Sequence, residues 1–241
     1  MGPGVLAVSR AAKVNLSLGG SSVEKKELDG NTMVTLVERA QAGERQAFRD
    51  LVEAHADRIF NYLHHLLGDR EEAEDLAQET FVRAWQSLDR FRGGAAFSTW
   101  LYRIATNLAI DAARRRRRRG PVESLDAPLE TGNGEVHRQV IGSVAGPEEE
   151  VAREELQRAV WASVRELPPK LRPVLVLYDF QQLSYEDIAR VLGIPLGTVK
   201  SRLFHARQQL KQILETKLPI EEYLGRIAGS SKAESSLDGG W

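Results

Sequence analysis

The stretch LSYEDIARVLGIPLGTVKSRLFHARQQLK, Leu183 to Lys211, contains two helix starts separated by one tight turn. Ser184 with Asp187 three residues on forms an S-x-x-D cap. Ile188, Ala189, Val191 and Leu192 give the first helix its packed side, and Ala189 is small where a second helix must cross closely. Gly193 supplies a turn residue suited to positive φ. Pro195 presets φ for the first turn of the second helix. There Val199, Leu203, Ala206 and Leu210 recur at i, i+4, i+7 and i+11 and point inward. Thr198, Lys200, Ser201, Arg202, Phe204, His205 and Arg207 are left outward. The pattern is a helix-turn-helix with a basic second helix; the alternative is an ordinary αα-hairpin with a solvated outer face. An α-helix fits the DNA major groove, where Lys and His donate to guanine and an exposed Phe can touch thymine methyls. Arg202 and Arg207 suit phosphate contacts that fix register.

Upstream, the periodicity is helical throughout. MVTLVERAQAG puts Leu36, Val37 and Ala40 on one face before Gly43 stops the helix. Phe48, Leu51, Val52, Ile59, Phe60, Leu63 and Leu66 follow at three- and four-residue steps and end at Gly68. Asp69 with Glu72 reads as a capping box for the next helix. That helix has an inward stripe of Leu76, Ala77, Ala84, Trp85 and Leu88, and an outer face of Asp75, Gln78, Glu79 and Arg83. The break FRGGAAF, Phe91 to Phe97, leads to FSTWLYRIATNLAIDAARRRRRRG, where Ser98 or Thr99 is the expected cap and Leu101, Ile104, Ala105 and Leu108 face a core. After a linker without sustained period, Pro147 begins another amphipathic helix that is acidic in its first turn. A further helix, LRPVLVLYDF, is punctuated by Pro168, Pro169 and Pro173. The predicted fold class is all-α: two small helical domains, a four-helix N-terminal domain and a C-terminal helix-turn-helix domain, joined by a flexible linker.

The whole chain has 241 residues, 42% of them hydrophobic and 28% charged, enough for one large or two small cored domains. No apolar run approaches the length of a membrane span, and the N-terminus lacks the pattern of a secretory signal. The absence of cysteine excludes disulfides, thiol nucleophiles and cysteine-ligated zinc, and suits a reducing cytoplasm. A formal net charge of −1 hides segregation. Glu44 to Arg90 holds 11 acidic and 6 basic residues, whereas Ser98 to Gly120 holds 7 basic and 1 acidic. Pro121 to Leu156 returns to 9 acidic against 2 basic, and Pro195 to Lys217 has 5 basic against 1 acidic. Two basic patches flanking an acidic connector predict two contacts with one polyanion. The run Arg114 to Arg119 repels itself unless a dense anion such as a nucleic-acid backbone offsets it.

The stretches EEAEDLAQETFVRAW, FSTWLYRIATNLAIDAARRRRRR and LPPKLRPVLVLYDFQQLSYEDIARVLGIPLGTVKSRLFHARQQL together resemble bacterial sigma factors of the extracytoplasmic-function (ECF) group. The resemblance covers roughly 32–118 and 150–215. It implies sigma region 2 over 32–118 and sigma region 4 over 150–217. Composition and lack of period give a disordered extension over 1–31, an acidic linker over 119–149 and a flexible tail over 218–241, the extension and tail lying outside the resemblance. Asp75, Leu76, Gln78, Glu79, Phe81 and Arg83 are implied to dock core RNA polymerase through its β′ subunit, and β is implied as a further contact. Phe97, Trp100, Tyr102, Arg103, Asn107, Arg114, Arg115 and Arg116 are implied to read and melt the minus-ten promoter element. Trp100 and Tyr102 are candidate surfaces for base stacking and Asn107 a reader of a flipped base, with Trp100 equally readable as core. Asp111 is expected to pair with an arginine four residues on. Thr198, Lys200, Ser201, Arg202, Phe204, His205 and Arg207 are implied to contact the minus-thirty-five element. An anti-sigma protein is the further implied partner.

On this reading the chain is a non-enzymatic, cytoplasmic transcription initiation factor that needs no cofactor. No G-x-x-x-x-G-K-[ST] stretch is present, so strand opening is expected to draw on binding energy. The acidic helix bears no histidine at ligand spacing, so no metal is expected there. A stand-alone helix-turn-helix regulator is the alternative. His55, His64 and His65 offer the one cluster suggestive of catalysis, and surface histidines with ordinary partners account for it more simply.

Overall fold

The computed structural model describes residues 30–119 and 147–217, and no strand occurs among them. The helices are α1 Gly30–Gln41, α2 Arg45–Leu67, α3 Arg70–Gln86, α4 Phe97–Arg119, α5 Pro147–Glu166, α6 Arg172–Leu175, α7 Tyr185–Leu192 and α8 Leu196–Lys217. A 3-10 turn, Leu88–Arg90, precedes α4, and a π turn, Val176–Phe180, follows α6. The expected extension, linker and tail lie outside the described residues, except that 30–31, 119 and 147–149 belong to helices.

Contacts divide the described residues into two compact units, one holding 30–119 with Val176–Ser201, the other 147–175 with 202–217. In the first unit the loops are short and terminated by the expected chemistry. Gly43 adopts φ +92° after α1, and Gly68 closes α2 in the left-handed region, its N–H donating to His64 O at 2.8 Å. Asp69 then accepts from Glu72 N at 2.9 Å and starts α3. Leu51, Ile59, Tyr62 and Leu63 of α2 are fully enclosed, together with Ala73 and Ala84 of α3 and Leu101 and Ala105 of α4. A polar pair crosses this core: Thr106 Oγ1 donates to Tyr102 O at 2.6 Å, so the 2.7 Å bond between Tyr62 Oη and Thr106 Oγ1 uses the tyrosine proton.

Three local expectations change. The fourth helix begins at Phe97, where Ala96 O accepts from Trp100 N, so neither Ser98 nor Thr99 caps it. Thr99 is instead buried in the first turn, with Oγ1 donating to Asp187 Oδ1 at 3.3 Å. Trp85, expected inward, is 40% exposed at the edge of α3's buried stripe and packs one side against Phe48 at 4.8 Å. LRPVLVLYDF does not form one regular helix; α6 widens into the π turn, with Gln181 N bonding Val176 O at 3.0 Å.

In the second unit, Leu156, Val160 and Val164 of α5, Val174 and Leu175 of α6, and Leu203, Ala206, Leu210 and Leu214 of α8 are buried. Arg172 Nη2 donates to Leu167 O at 3.1 Å across the proline-bearing turn. Lys217 pairs with Glu166. No described helix is long and apolar enough to cross a membrane.

Candidate nucleic-acid interface

The outer face of α3 is a stripe of Asp75, Gln78, Val82 and Trp85, successive at three- and four-residue steps. Asp75 and Gln78 are exposed, and Val82 is 49% exposed. Beside them Arg83 Nε reaches Glu79 Oε1 at 2.7 Å, an i,i+4 pair that stiffens the helix surface. Phe81 is half-buried. Leu76, inward by its period but also implied to dock polymerase, is 8% exposed; it belongs to the core and holds the helix rather than offering a contact. Val82 and Trp85 were missed as surface residues, although Val82 interrupts an otherwise polar outward stripe, which is a readable signal.

At the start of α4 an aromatic cluster closes the loop. Phe91 lies 5.7 Å from Phe97, edge-on, and 5.1 Å from Trp100, while Phe97 and Trp100 are 5.6 Å apart. Phe97, expected at the DNA surface, is 4% exposed and anchors the cluster. Trp100, open to either reading from sequence, is half-buried with its inner side in that cluster. Tyr102 is not a surface aromatic. It is 3% exposed, sits edge-on to Tyr62 at 5.2 Å, and its Oη donates to Gln181 Oε1 at 2.7 Å. Burial raises its phenol pKa well above the usual range.

Arg103, Asn107, Ile110 and Arg114 form the exposed stripe of α4. Ile110, 41% exposed among basic and amide neighbours, was not anticipated. Arg114 Nη1 lies 3.7 Å from Asp111 Oδ1, so this aspartate pairs three residues on rather than four. Arg115 is exposed, and Arg116 turns back to pair with Glu72 in the first turn of α3. His55 is not a surface histidine. It is 7% exposed on α2, its ring 5.6 Å from that of Phe97, and its Nε2 has no hydrogen-bond partner. Burial, followed by the Arg58 charge, lowers its pKa from 6.5 to about 4.

The helix-turn-helix follows its local signals closely. Ser184 Oγ accepts from Asp187 N at 3.1 Å, Gly193 takes φ +62°, and Ile194 N returns to Ala189 O at 3.2 Å. Pro195 stands just before α8 rather than in its first turn, and its carbonyl accepts from Thr198 N at 2.9 Å. Along α8, Lys200, Ser201, Phe204 and His205 are exposed, and Thr198, Arg202 and Arg207 are half-exposed. Phe204 is 59% exposed, with its ring edge-on to His205 at 5.6 Å. Among the described residues no group of three or more His, Asp or Glu could hold a metal ion.

The chain matches the family models Sigma-70 region 2 over residues 51–119 and Sigma-70, region 4 over residues 157–210. It is 40% identical over 186 residues to the RNA polymerase sigma-H factor of Pseudomonas aeruginosa, covering 76% of this chain and 94% of that protein. It is 38% identical over 179 residues to the ECF RNA polymerase sigma factor SigW of Bacillus subtilis, covering 74% of this chain and 94% of that one. Among solved structures it resembles CnrH in complex with the cytosolic domain of CnrY. The TM-score is 0.57 at 27% identity, covering 77% of this chain and 98% of that chain.

Proposed function

The chain belongs to the ECF RNA polymerase sigma factors, and from that premise we propose how its faces divide the work. As an alternative sigma factor it binds core RNA polymerase, recognises two promoter elements and promotes strand opening. It acts by binding in the cytoplasm and not as an enzyme. The polymerase-docking residues are Asp75, Gln78, Glu79 and Arg83, joined by Val82 and Trp85. A polar rim around two exposed apolar side chains supports this, since such a pair supplies the desolvated anchor of a helix–helix interface. Residues 32–118 act as region 2 and 150–217 as region 4.

The minus-ten strand runs along Arg103, Asn107, Arg114 and Arg115, with Trp100 available at its exposed edge. Phe97 and Tyr102 serve this surface from beneath. On α8, Lys200, Ser201, Phe204 and His205 enter the major groove of the minus-thirty-five element, flanked by Thr198, Arg202 and Arg207 over the backbone. The observation that carries the reading is the coexistence, in one chain, of the exposed basic stripe on α4 and the capped helix-turn-helix. A solved relative held with a cytosolic partner domain supports an anti-sigma protein as a further partner.

Titrating labelled protein with bacterial core polymerase tests the docking face. Wild type should bind, and Asp75→Ala/Gln78→Ala should bind at least tenfold more weakly, the loss expected from truncating two interface side chains. Core-independent duplex binding with no measurable affinity for core would favour a stand-alone regulator.

A further inference from the structure

The loop between Phe91 and Phe97 has fixed ends and a free centre. Gly93 takes φ +69°, and a Cβ placed on Gly93 or Gly94 would meet nothing within 4 Å, so the middle of the loop stands clear of the protein. Its exit is fixed by the Phe97 ring against Phe91, Trp100 and His55. Its entry is fixed from a different helix. Gln41, the last residue of α1, uses one amide nitrogen to donate to Leu88 O at 2.9 Å and to Phe91 O at 2.7 Å. Leu88 O also accepts from Phe91 N at 3.1 Å, so the carboxamide closes the 3-10 turn where the chain leaves it.

We propose that Gln41 is a positioning residue for promoter opening: its carboxamide sets the height and direction from which the 91–97 loop meets the unpaired strand. The inference rests on the reading of α4 and Trp100 as the minus-ten surface, into which this loop leads. Gln41 is exposed and adds no apolar surface to the core, and its two donated bonds tie the end of α1 to the entry of the loop. Both acceptors are main-chain carbonyls. The requirement is therefore for a donor that reaches these carbonyls, and a carboxylate of the same shape would face two carbonyl oxygens with no proton to give. A loop with glycines at its centre has little stiffness of its own, so its orientation depends on where its ends are held.

The test uses reconstituted holoenzyme with wild-type chain, Gln41→Glu and Gln41→Lys, on a promoter selected with the wild type. Readouts are the lifetime of the heparin-resistant open complex and the discrimination between wild-type and single-base-substituted minus-ten elements. Core affinity and thermal midpoint are measured in parallel. Gln41→Glu is expected to shorten the open-complex lifetime and reduce the discrimination, each on the order of tenfold, with core affinity unchanged. Gln41→Lys, which keeps a donor, should recover most of both. Unchanged lifetime and discrimination in Gln41→Glu would overturn the proposal, as would losses that Gln41→Lys reproduces in full or that track a lowered thermal midpoint. Failure of wild-type holoenzyme to open any promoter would instead refute the minus-ten reading itself.

Discussion

Lowering the pH from 7.5 to 5 should selectively destabilise this fold through His55. In the unfolded chain the imidazole titrates near 6.5, whereas in the folded protein burial and the Arg58 charge hold it near 4. At pH 7.5 both states carry a neutral ring, and His55 makes no difference. Below 6.5 the unfolded chain takes up a proton that the native state refuses, so stability falls with pH until the folded pKa is reached. The ceiling of the effect is about 3 kcal/mol, and at pH 5 about 2 kcal/mol of it is already lost. Urea unfolding at pH 7.5 and pH 5.0, for wild type and His55→Leu, isolates the contribution. The other histidines and all carboxylates are common to both proteins and cancel in the comparison. Wild type should lose about 2 kcal/mol more than the variant between the two pH values. Equal losses would refute the placement of a neutral, enclosed imidazole under Phe97.

Substituting the two loop glycines should give different results. Gly93→Ala should cost about 1 kcal/mol because of its positive φ, whereas Gly94→Ala should leave the thermal midpoint unchanged, as both sites have free space for a methyl group. Tyr62→Phe should cost about 1 kcal/mol in urea unfolding by removing the proton that satisfies Thr106 Oγ1. In promoter binding by holoenzyme, replacing Arg114 and Arg115 with Gln should flatten the salt dependence by about 0.7 in slope for each single-strand phosphate no longer neutralised. Arg116→Gln should flatten it less, since Glu72 already engages that side chain.

The helix-turn-helix was legible because its determinants are local: a cap at Ser184, a left-handed turn at Gly193 and an inward period from Val199 to Leu210 act over a few residues each. The same holds for the α2–α3 turn at Gly68 and Asp69. The surface proposed for the minus-ten element was less legible. Helix α4 is enclosed over a wide arc that takes in Phe97, Thr99, Tyr102 and Thr106 as well as the aliphatic stripe. Residues with hydroxyl groups look like surface in a sequence and become core once a partner satisfies them, as Gln181 does for Tyr102. His55 did carry a signal, since it falls four residues from both Leu51 and Ile59 on the buried face of α2. Trp85 lies next to the buried stripe of α3, where periodicity does not decide between in and out. Nothing local marks Gln41, because its acceptors lie 47 and 50 residues downstream.

Run-off transcription with bacterial core polymerase, on templates drawn from a randomised promoter pool, tests the central claim most directly. Wild type, Asp75→Ala/Gln78→Ala and Lys200→Ala/Phe204→Ala would be compared side by side. Initiation should require both this chain and core, and should come from promoters sharing two spaced elements. The first variant should lose initiation, and the second should lose or alter selection of the upstream element alone. No core-dependent initiation by the wild type, or a first variant as active as the wild type, would contradict the sigma-factor reading.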